Sequence, residues 1–204
     1  MKLKLWLLLG LLTVLLAIGT ALVLMFVQAQ NPSYAAMPAF PAIGGTQSAQ
    51  QAYTALQQWA KGWAADVQLV SISASLVKSE RASLGWSFQV YSKSKGKLAV
   101  VLVEPERVWV LREKSIRYQQ RSIDAQAWPI DSPQFLARWW EQRGEMIWQQ
   151  RRAQSMHLNL RYEKGGSTVW QISVLDAQGN LIEYWGIRAD TGEVLYEGIA
   201  GGTQ

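Results

Sequence analysis

The chain contains no cysteine and a single histidine, His157, among its 204 residues. The absence of cysteine excludes disulfides, thiolate metal sites, a cysteine nucleophile and a lipid anchor on cysteine. A Ser–His–acid arrangement would have to use His157, which lies in a strand-like run. The sequence has no Gly-x-Ser-x-Gly motif to supply the serine. The sequence therefore predicts a protein that is not an enzyme, with no metal site and no cofactor.

Two Ser-x-x-Lys patterns occur, Ser75–Lys78 and Ser94–Lys97. Enzymes that use this pattern carry companion motifs, which this chain lacks. Asp66, Asp176 and Asp190 are isolated in the sequence, and no glycine-rich loop stands between a strand and a helix. These short patterns predict no chemistry.

Charged side chains are absent between Lys4 and Lys61. The first part of this gap, Leu5–Val27, is almost wholly aliphatic, and about 23 helical residues would extend roughly 35 Å. Lys2 and Lys4 precede the run, so the positive-inside rule places the N-terminus in the cytoplasm. The sequence predicts a single-pass anchor in the cell membrane over residues 1–27, with the remainder extracytoplasmic.

A cleaved secretory signal is the alternative, because Val27-Gln28-Ala29 is an acceptable cleavage tripeptide. The length of the apolar run favours a retained anchor, and cleavage after Ala29 stays open. Residues 28–47 have the composition of a linker, with three prolines and the pair Gly44-Gly45.

Internal similarity then predicts two modules, at residues 48–124 and 125–204, and whether they pack as one unit stays open. Each begins with an amphipathic helix, Ala49–Lys61 in the first and one starting at Ser132-Pro133 in the second. Each continues with four runs of strand character. These runs are Val67–Ser73, Gly85–Ser92, Leu98–Glu104, Val108–Leu111, Met156–Tyr162, Thr168–Leu175, Leu181–Arg188 and Glu193–Tyr196. The predicted fold class is α+β, a transmembrane helix followed by two helix-plus-antiparallel-sheet modules.

The segment Val169–Leu195 resembles the PepSY domain family. It combines a hydrophobic strand, an Asp-x-x-Gly turn at Asp176–Gly179, a second alternating strand and an Asp-x-Gly-Glu-Val ending at Asp190–Val194. The resemblance covers Asp131–Tyr196, and the first module looks like a more distant relative without that ending. It implies tandem PepSY/cystatin-like modules that are not catalytic and that inhibit or modulate peptidases.

Tryptophan is abundant, with eleven residues. Most fall at core periodicity, which predicts a tryptophan-rich core in place of disulfide support. Trp139 and Trp140 are neighbours on a helix and point about 100° apart, so we expect one to be available to a partner. Together with Lys93, Lys95 and Lys97 they form the candidate partner surface.

Positive charge gathers in the first module, where residues 61–131 carry 11 basic and 7 acidic side chains. The leading hypothesis is a membrane-anchored extracytoplasmic binding or regulatory protein that acts by protein–protein contact, with an envelope peptidase as an expected partner. The alternative is a non-catalytic structural or assembly factor of the cell envelope that binds an anionic polymer or lipid surface. Nucleic acid is not an expected partner, and the oligomeric state stays open.

Overall fold

Alternating apolar residues build one eight-stranded antiparallel sheet in this computed structural model. The structure describes residues 47–79, 85–117, 120–150, 152–163 and 165–199, all within one compact unit, Pro41–Gln204. The strands are β1 Val67–Val77, β2 Trp86–Ser92, β3 Lys97–Glu104, β4 Arg107–Ser115, β5 Ser155–Tyr162, β6 Thr168–Leu175, β7 Leu181–Arg188 and β8 Val194–Ile199. The helices are α1 Ala49–Trp63, α2 Ser132–Trp139 and α3 Glu145–Gln149, and a π-helical turn, Trp140–Gly144, joins α2 to α3.

The strand order is β4-β3-β2-β1-β5-β6-β7-β8. Each half of the chain supplies a helix and a four-stranded meander, and the first strands of the two halves pair antiparallel in the middle. Apolar residues face one another across this central pair, Ile72 opposite Leu160, Ala74 opposite Leu158 and Leu76 opposite Met156. Backbone hydrogen bonds therefore run without interruption from one half to the other.

The predicted fold class is wrong. The prediction was a transmembrane helix followed by two helix-plus-antiparallel-sheet modules, whereas the described chain is mostly one sheet with short helices. The reason is the β1–β5 pairing, which removes one edge from each meander and so satisfies backbone groups that two separate sheets would leave open. The predicted boundary near residue 124 lies in the connection between β4 and α2.

The predicted anchor at residues 1–27 and most of the linker lie outside the described residues. Within the described ranges, no helix is long and apolar enough to cross a membrane.

One face of the sheet carries the core. Five tryptophans, Trp86, Trp128, Trp139, Trp170 and Trp185, are less than 2% exposed. Phe135 of α2 stacks between Trp170 and Trp185, with ring centroids 5.5 and 5.4 Å away. The predicted tryptophan-rich core is confirmed, although Trp59 and Trp63 of α1 are only half-buried. Three of the four buried residues of α1 are alanines.

The N-termini of α1 and α2 meet at Asp131. Its Oδ1 accepts hydrogen bonds from the backbone N–H of Ser132 at 2.7 Å and of Gln50 at 3.1 Å. The hydroxyl of Ser132 accepts from the N–H of Ala49 at 3.0 Å. Residues at the start of α2 therefore satisfy free N–H groups of both helices, and the carboxylate faces the positive ends of two helix dipoles.

The sequence predicts a helix end near Gly144, but the helical path continues to Gln149 through the π-helical turn. A Cβ atom at residue 144 would lie 2.5 Å from the Trp139 ring. Gly144 is therefore needed for close packing of the turn against this buried tryptophan.

Candidate binding surface

The sheet face opposite the core is polar and carries few charges at its centre. Side chains alternate between the two faces along a strand, so the residues that lie between the buried positions of β1 and β5 point to this open face. Its central side chains are Ser71, Ser73 and Ser75 on β1, Ser87 and Gln89 on β2, His157 and Asn159 on β5, and Gln171 and Ser173 on β6.

Strand β4 is an edge strand that is exposed on both faces of the sheet. The opposite edge strand, β8, also exposes two apolar residues, Val194 at 42% and Leu195 at 40%. Within β4, Val108 is half-buried, and the other eight of its nine residues are exposed. Trp109 and Val110 are each 40% exposed and Leu111 is 57% exposed. Long apolar edge strands attract additional strands, and proteins usually cover or charge them. β4 is therefore the first candidate for an interaction surface.

The indole ring of Trp109 is held in place by two neighbours. The guanidinium carbon of Arg107 lies 3.7 Å from the ring centroid, within the range of a cation–π contact. Oε2 of Glu104 accepts from Arg107 Nε at 2.8 Å and from Trp109 Nε1 at 3.2 Å. The hydrogen bond from Arg107 is the main cause that lowers the pKa of Glu104. The half-exposed indole is thus fixed before any partner arrives.

The acidic residue of β4, Glu113, already has partners from the same half of the chain. Its carboxylate accepts from Lys97 Nζ and from Trp63 Nε1, both at 2.8 Å. The hydrogen bond from Lys97 is the largest cause that lowers the pKa of Glu113. Among the described residues, Arg112 and Lys114 on either side of Glu113 form no ion pair.

The turn between β2 and β3 is organised by Asp66. Its carboxylate accepts from Ser92 Oγ at 2.6 Å, and from the backbone N–H and hydroxyl of Ser94, both at 2.7 Å. These hydrogen bonds, from Ser92 first, lower the pKa of Asp66 to about 2. The turn they hold presents the exposed side chains of Lys93 and Lys95.

The structure does not bring all the predicted partner residues together. Lys93, Lys95 and Lys97 lie at the β2–β3 turn, near the C-terminal end of β4, because Lys97 is opposite Ser115. Trp139 is fully buried in the core. Trp140 is half-buried, and its ring meets Trp139 edge-on at a centroid distance of 6.0 Å. The two tryptophans belong to the helical layer, and the three lysines belong to the β3–β4 end of the sheet.

His157 and Ser75 are neighbours across the β1–β5 pair, which the sequence did not predict. The Ser75 hydroxyl lies 2.6 Å from His157 Nδ1, and burial lowers the pKa of the imidazole. In a Ser–His–acid site the serine faces Nε2 and a carboxylate orients Nδ1. Here Nδ1 faces the serine, and among the described residues no carboxylate is bonded to His157. The pair therefore does not have the arrangement of a Ser–His–acid triad.

Lys78 belongs to the Ser75–Lys78 pattern, but its side chain stabilises the end of a helix. Its Nζ donates to the carbonyl oxygens of Trp148 at 2.5 Å and Gln150 at 3.0 Å. An ammonium group at the C-terminal end of α3 satisfies free carbonyls and interacts favourably with the helix dipole. In the described part of the chain, no group of three or more potential metal ligands is present.

A buried carboxyl group lies under the π-helical turn. Glu183 of β7 has no exposed surface, and Arg143 Nε lies 3.2 Å from its Oε1. The Arg143 guanidinium also pairs with Glu197 of β8 at 3.0 Å. Burial raises the pKa of Glu183, and Arg143 opposes this shift. The alternation of β7 places Glu183 on the core face, so this arrangement connects the helical layer to the β7–β8 edge.

No protein-family model, curated protein or solved structure matches this chain. The fold therefore defines only an architectural class, an antiparallel sheet with helices on one face and exposed apolar residues on both edge strands.

Proposed function

We propose that this protein is a binding or regulatory protein that acts by protein–protein contact, and that strand β4 is its recognition element. The single observation that supports this proposal most strongly is the exposure of β4 on both faces, with Trp109, Val110 and Leu111 all partly open to solvent. An extended polypeptide segment that adds to this edge would satisfy its free backbone groups and cover its apolar side chains.

The fixed geometry of Trp109 supports the same proposal. Binding energy concentrates in a few aromatic and arginine side chains, and preorganised side chains lose less entropy when a partner binds. The Arg107–Trp109 stack provides both residue types at one place, already held by Glu104.

The class of partner comes from the sequence. The resemblance to the PepSY family adds the expectation of a peptidase, and the predicted extracytoplasmic location adds a protein of the cell envelope. An envelope peptidase is therefore the first partner to test, with its activity measured in the presence and absence of this protein.

Site-specific photo-crosslinking in cells tests the proposal. A photoreactive residue at position 111 replaces an exposed leucine of β4, and one at position 146 replaces Met146, which is 62% exposed in the helical layer. The proposal predicts a discrete crosslinked protein from position 111 and none of that size from position 146. Equal products from both positions, or none from position 111, would contradict it.

A second candidate function is supported by the cluster of cations at one end of the sheet. The register places Lys114 opposite Leu98 and brings the end of β4 next to the turn that carries Lys93 and Lys95. This basic end suits an anionic polymer or lipid surface. Retention on anionic vesicles or cell-wall material, lost when Lys93 and Lys95 are replaced by glutamine, would favour this candidate over the first.

A further inference from the structure

The side chains of β4 are divided between the two faces of the sheet in a way that specifies a partner. Val108 and Val110 lie opposite the buried residues Val103 and Val101, and so they point to the face that carries the helices. Trp109 lies opposite Leu102 and points to the open face. The N-terminal half of β4 thus presents apolar side chains on both faces.

The register changes between Val100 and Val101, where Leu111 is the additional residue of a β-bulge. Beyond the bulge, Arg112 is opposite Val100 and Lys114 is opposite Leu98, and so both cations share the open face. Glu113 points to the other face, where Lys97 and Trp63 hold it. The C-terminal half of β4 therefore presents two cations, two residues apart, on one face.

These two cations differ from the other basic residue of the strand. Arg107 pairs with Glu104 at 2.8 Å, whereas Arg112 and Lys114 have no carboxylate partner in the described part of the chain. A strand added to β4 would place its same-face side chains beside both of them, because residues two apart on a strand share a face.

We infer that the segment recognised by β4 is an extended, acidic-then-apolar polypeptide. Two carboxylates, separated by one residue, pair with Lys114 and Arg112, and the residues that follow them are apolar and cover Val110, Trp109 and Val108. This order assumes antiparallel addition, the arrangement of every strand pair in the sheet. The inference rests on the proposed function and adds the charge and direction of the partner segment.

Four fluorescent peptides of about ten residues test the inference with the full-length protein, by fluorescence anisotropy. The first has glutamate at positions one and three followed by alternating valine and threonine. The second replaces both glutamates by glutamine, the third replaces them by lysine, and the fourth has the first sequence in reverse order.

We expect the glutamate peptide to bind most tightly. Two exposed ion pairs correspond to an affinity about 2- to 30-fold higher than that of the glutamine peptide, and the difference decreases as salt is added. The lysine peptide should bind more weakly than the glutamine peptide. The reversed peptide should bind more weakly than the first, because its apolar residues would lie beside the cations.

Protein variants localise the effect. In Arg112→Gln/Lys114→Gln the glutamate and glutamine peptides should bind equally. The control, called the remote pair, is Arg138→Gln/Arg152→Gln. It removes two exposed cations that lie outside β4, and so it has the same net charge as Arg112→Gln/Lys114→Gln. The remote pair should preserve the preference for glutamate. Circular dichroism and thermal melting establish that each variant is folded.

The outcomes separate the two proposals. Equal binding of the glutamate, glutamine and lysine peptides would overturn the inference and leave recognition at β4 standing. Loss of the glutamate preference in the remote pair as well would also overturn it, since the effect would then follow net charge. Binding of none of the peptides, together with no crosslink at position 111, would overturn the proposed function itself.

Discussion

The Arg107 guanidinium is stacked on the Trp109 indole at 3.7 Å, and both side chains donate to one oxygen of Glu104. The contact joins the two ends of a short connection, since Glu104 ends β3 and Arg107 begins β4. An aromatic side chain on an edge strand is ordinarily free to change rotamer. Here the hairpin that creates the edge also fixes its largest side chain.

Substitution of Glu104 should weaken recognition with little effect on stability. In Glu104→Gln the carboxylate that holds Arg107 and Trp109 is lost. Arg107 and Trp109 are exposed and Glu104 itself is half-buried, so we expect only a small loss of stability. Affinity for the glutamate peptide should fall several-fold because the indole is no longer preorganised. Anisotropy titration measures this effect. The control Glu106→Gln changes a carboxylate in the same β3–β4 turn and should leave affinity unchanged. Equal effects from both variants would contradict the claim that the Glu104 carboxylate preorganises Trp109.

Removal of the Asp131 side chain should destabilise both helices. Loss of one N-cap costs about 0.5–2 kcal/mol, and Asp131 interacts with the N-termini of α1 and α2, so Asp131→Ala should cost about 1–3 kcal/mol. Asp131→Asn keeps an acceptor but removes the charge, and should cost less. Urea unfolding gives both values. An alanine effect no larger than that of asparagine would show that the acceptor oxygens contribute nothing.

Two tyrosines at the β7–β8 edge each cover a glycine on the neighbouring strand. Tyr184 lies opposite Gly198 and Tyr196 lies opposite Gly186. A Cβ atom at residue 198 would lie 2.6 Å from the Tyr184 ring. Gly198→Ala should therefore destabilise the protein by about 1–3 kcal/mol through overpacking.

Thermal melting measures the change. The control Gly165→Ala lies in a turn where a Cβ atom would meet nothing within 4 Å, and it should have little effect. When Tyr184→Ala has already removed the ring, Gly198→Ala should cost less stability than it does in the original protein. Unchanged melting of Gly198→Ala would mean that the ring does not occupy this position.

The buried carboxyl group of Glu183 should make stability depend on pH. Its pKa is raised in the folded state by burial, so the unfolded chain ionises first as pH rises above the ordinary value of 4.5. The folded state is then relatively disfavoured, and the contribution of Glu183 to stability decreases from pH 4 to neutral pH.

Glu183→Gln removes this dependence. The unfolding free energy of the variant minus that of the original protein should therefore become more positive between pH 4 and pH 7.5, as measured by urea unfolding at both pH values. A difference that is constant with pH would contradict the raised pKa of Glu183.

Local pattern was sufficient to predict all eight strands and the start of both major helices. Alternation identified β6 and β7 with their observed ends, and Ser132-Pro133 marked the beginning of α2. The pair Ser132-Pro133 also predicts Ser132 as the N-cap of α2, but Asp131 holds that position and the Ser132 hydroxyl accepts a hydrogen bond from α1. No local sequence pattern can predict this hydrogen bond, because Ala49 and Ser132 are 83 positions apart in the sequence.

The same limit explains the incorrect architecture. The pairing of β1 with β5 depends on contacts between the two halves of the chain, and either half read alone has the pattern of a separate module. The exposure of β4 could not be predicted either, since its apolar sequence at residues 108–111 is equally typical of a buried strand. Strand order decides which of the two it becomes.

Backbone amide hydrogen exchange tests strand addition at β4 most directly. The full-length protein is compared alone, with the saturating glutamate peptide and with the lysine peptide at the same concentration. With strand addition at β4, the glutamate peptide should slow exchange of outward-facing amides in Arg107–Ser115 by at least tenfold and leave β8 at the opposite edge unchanged. Protection at β8 or on the helices, with β4 unaffected, would contradict recognition through this edge.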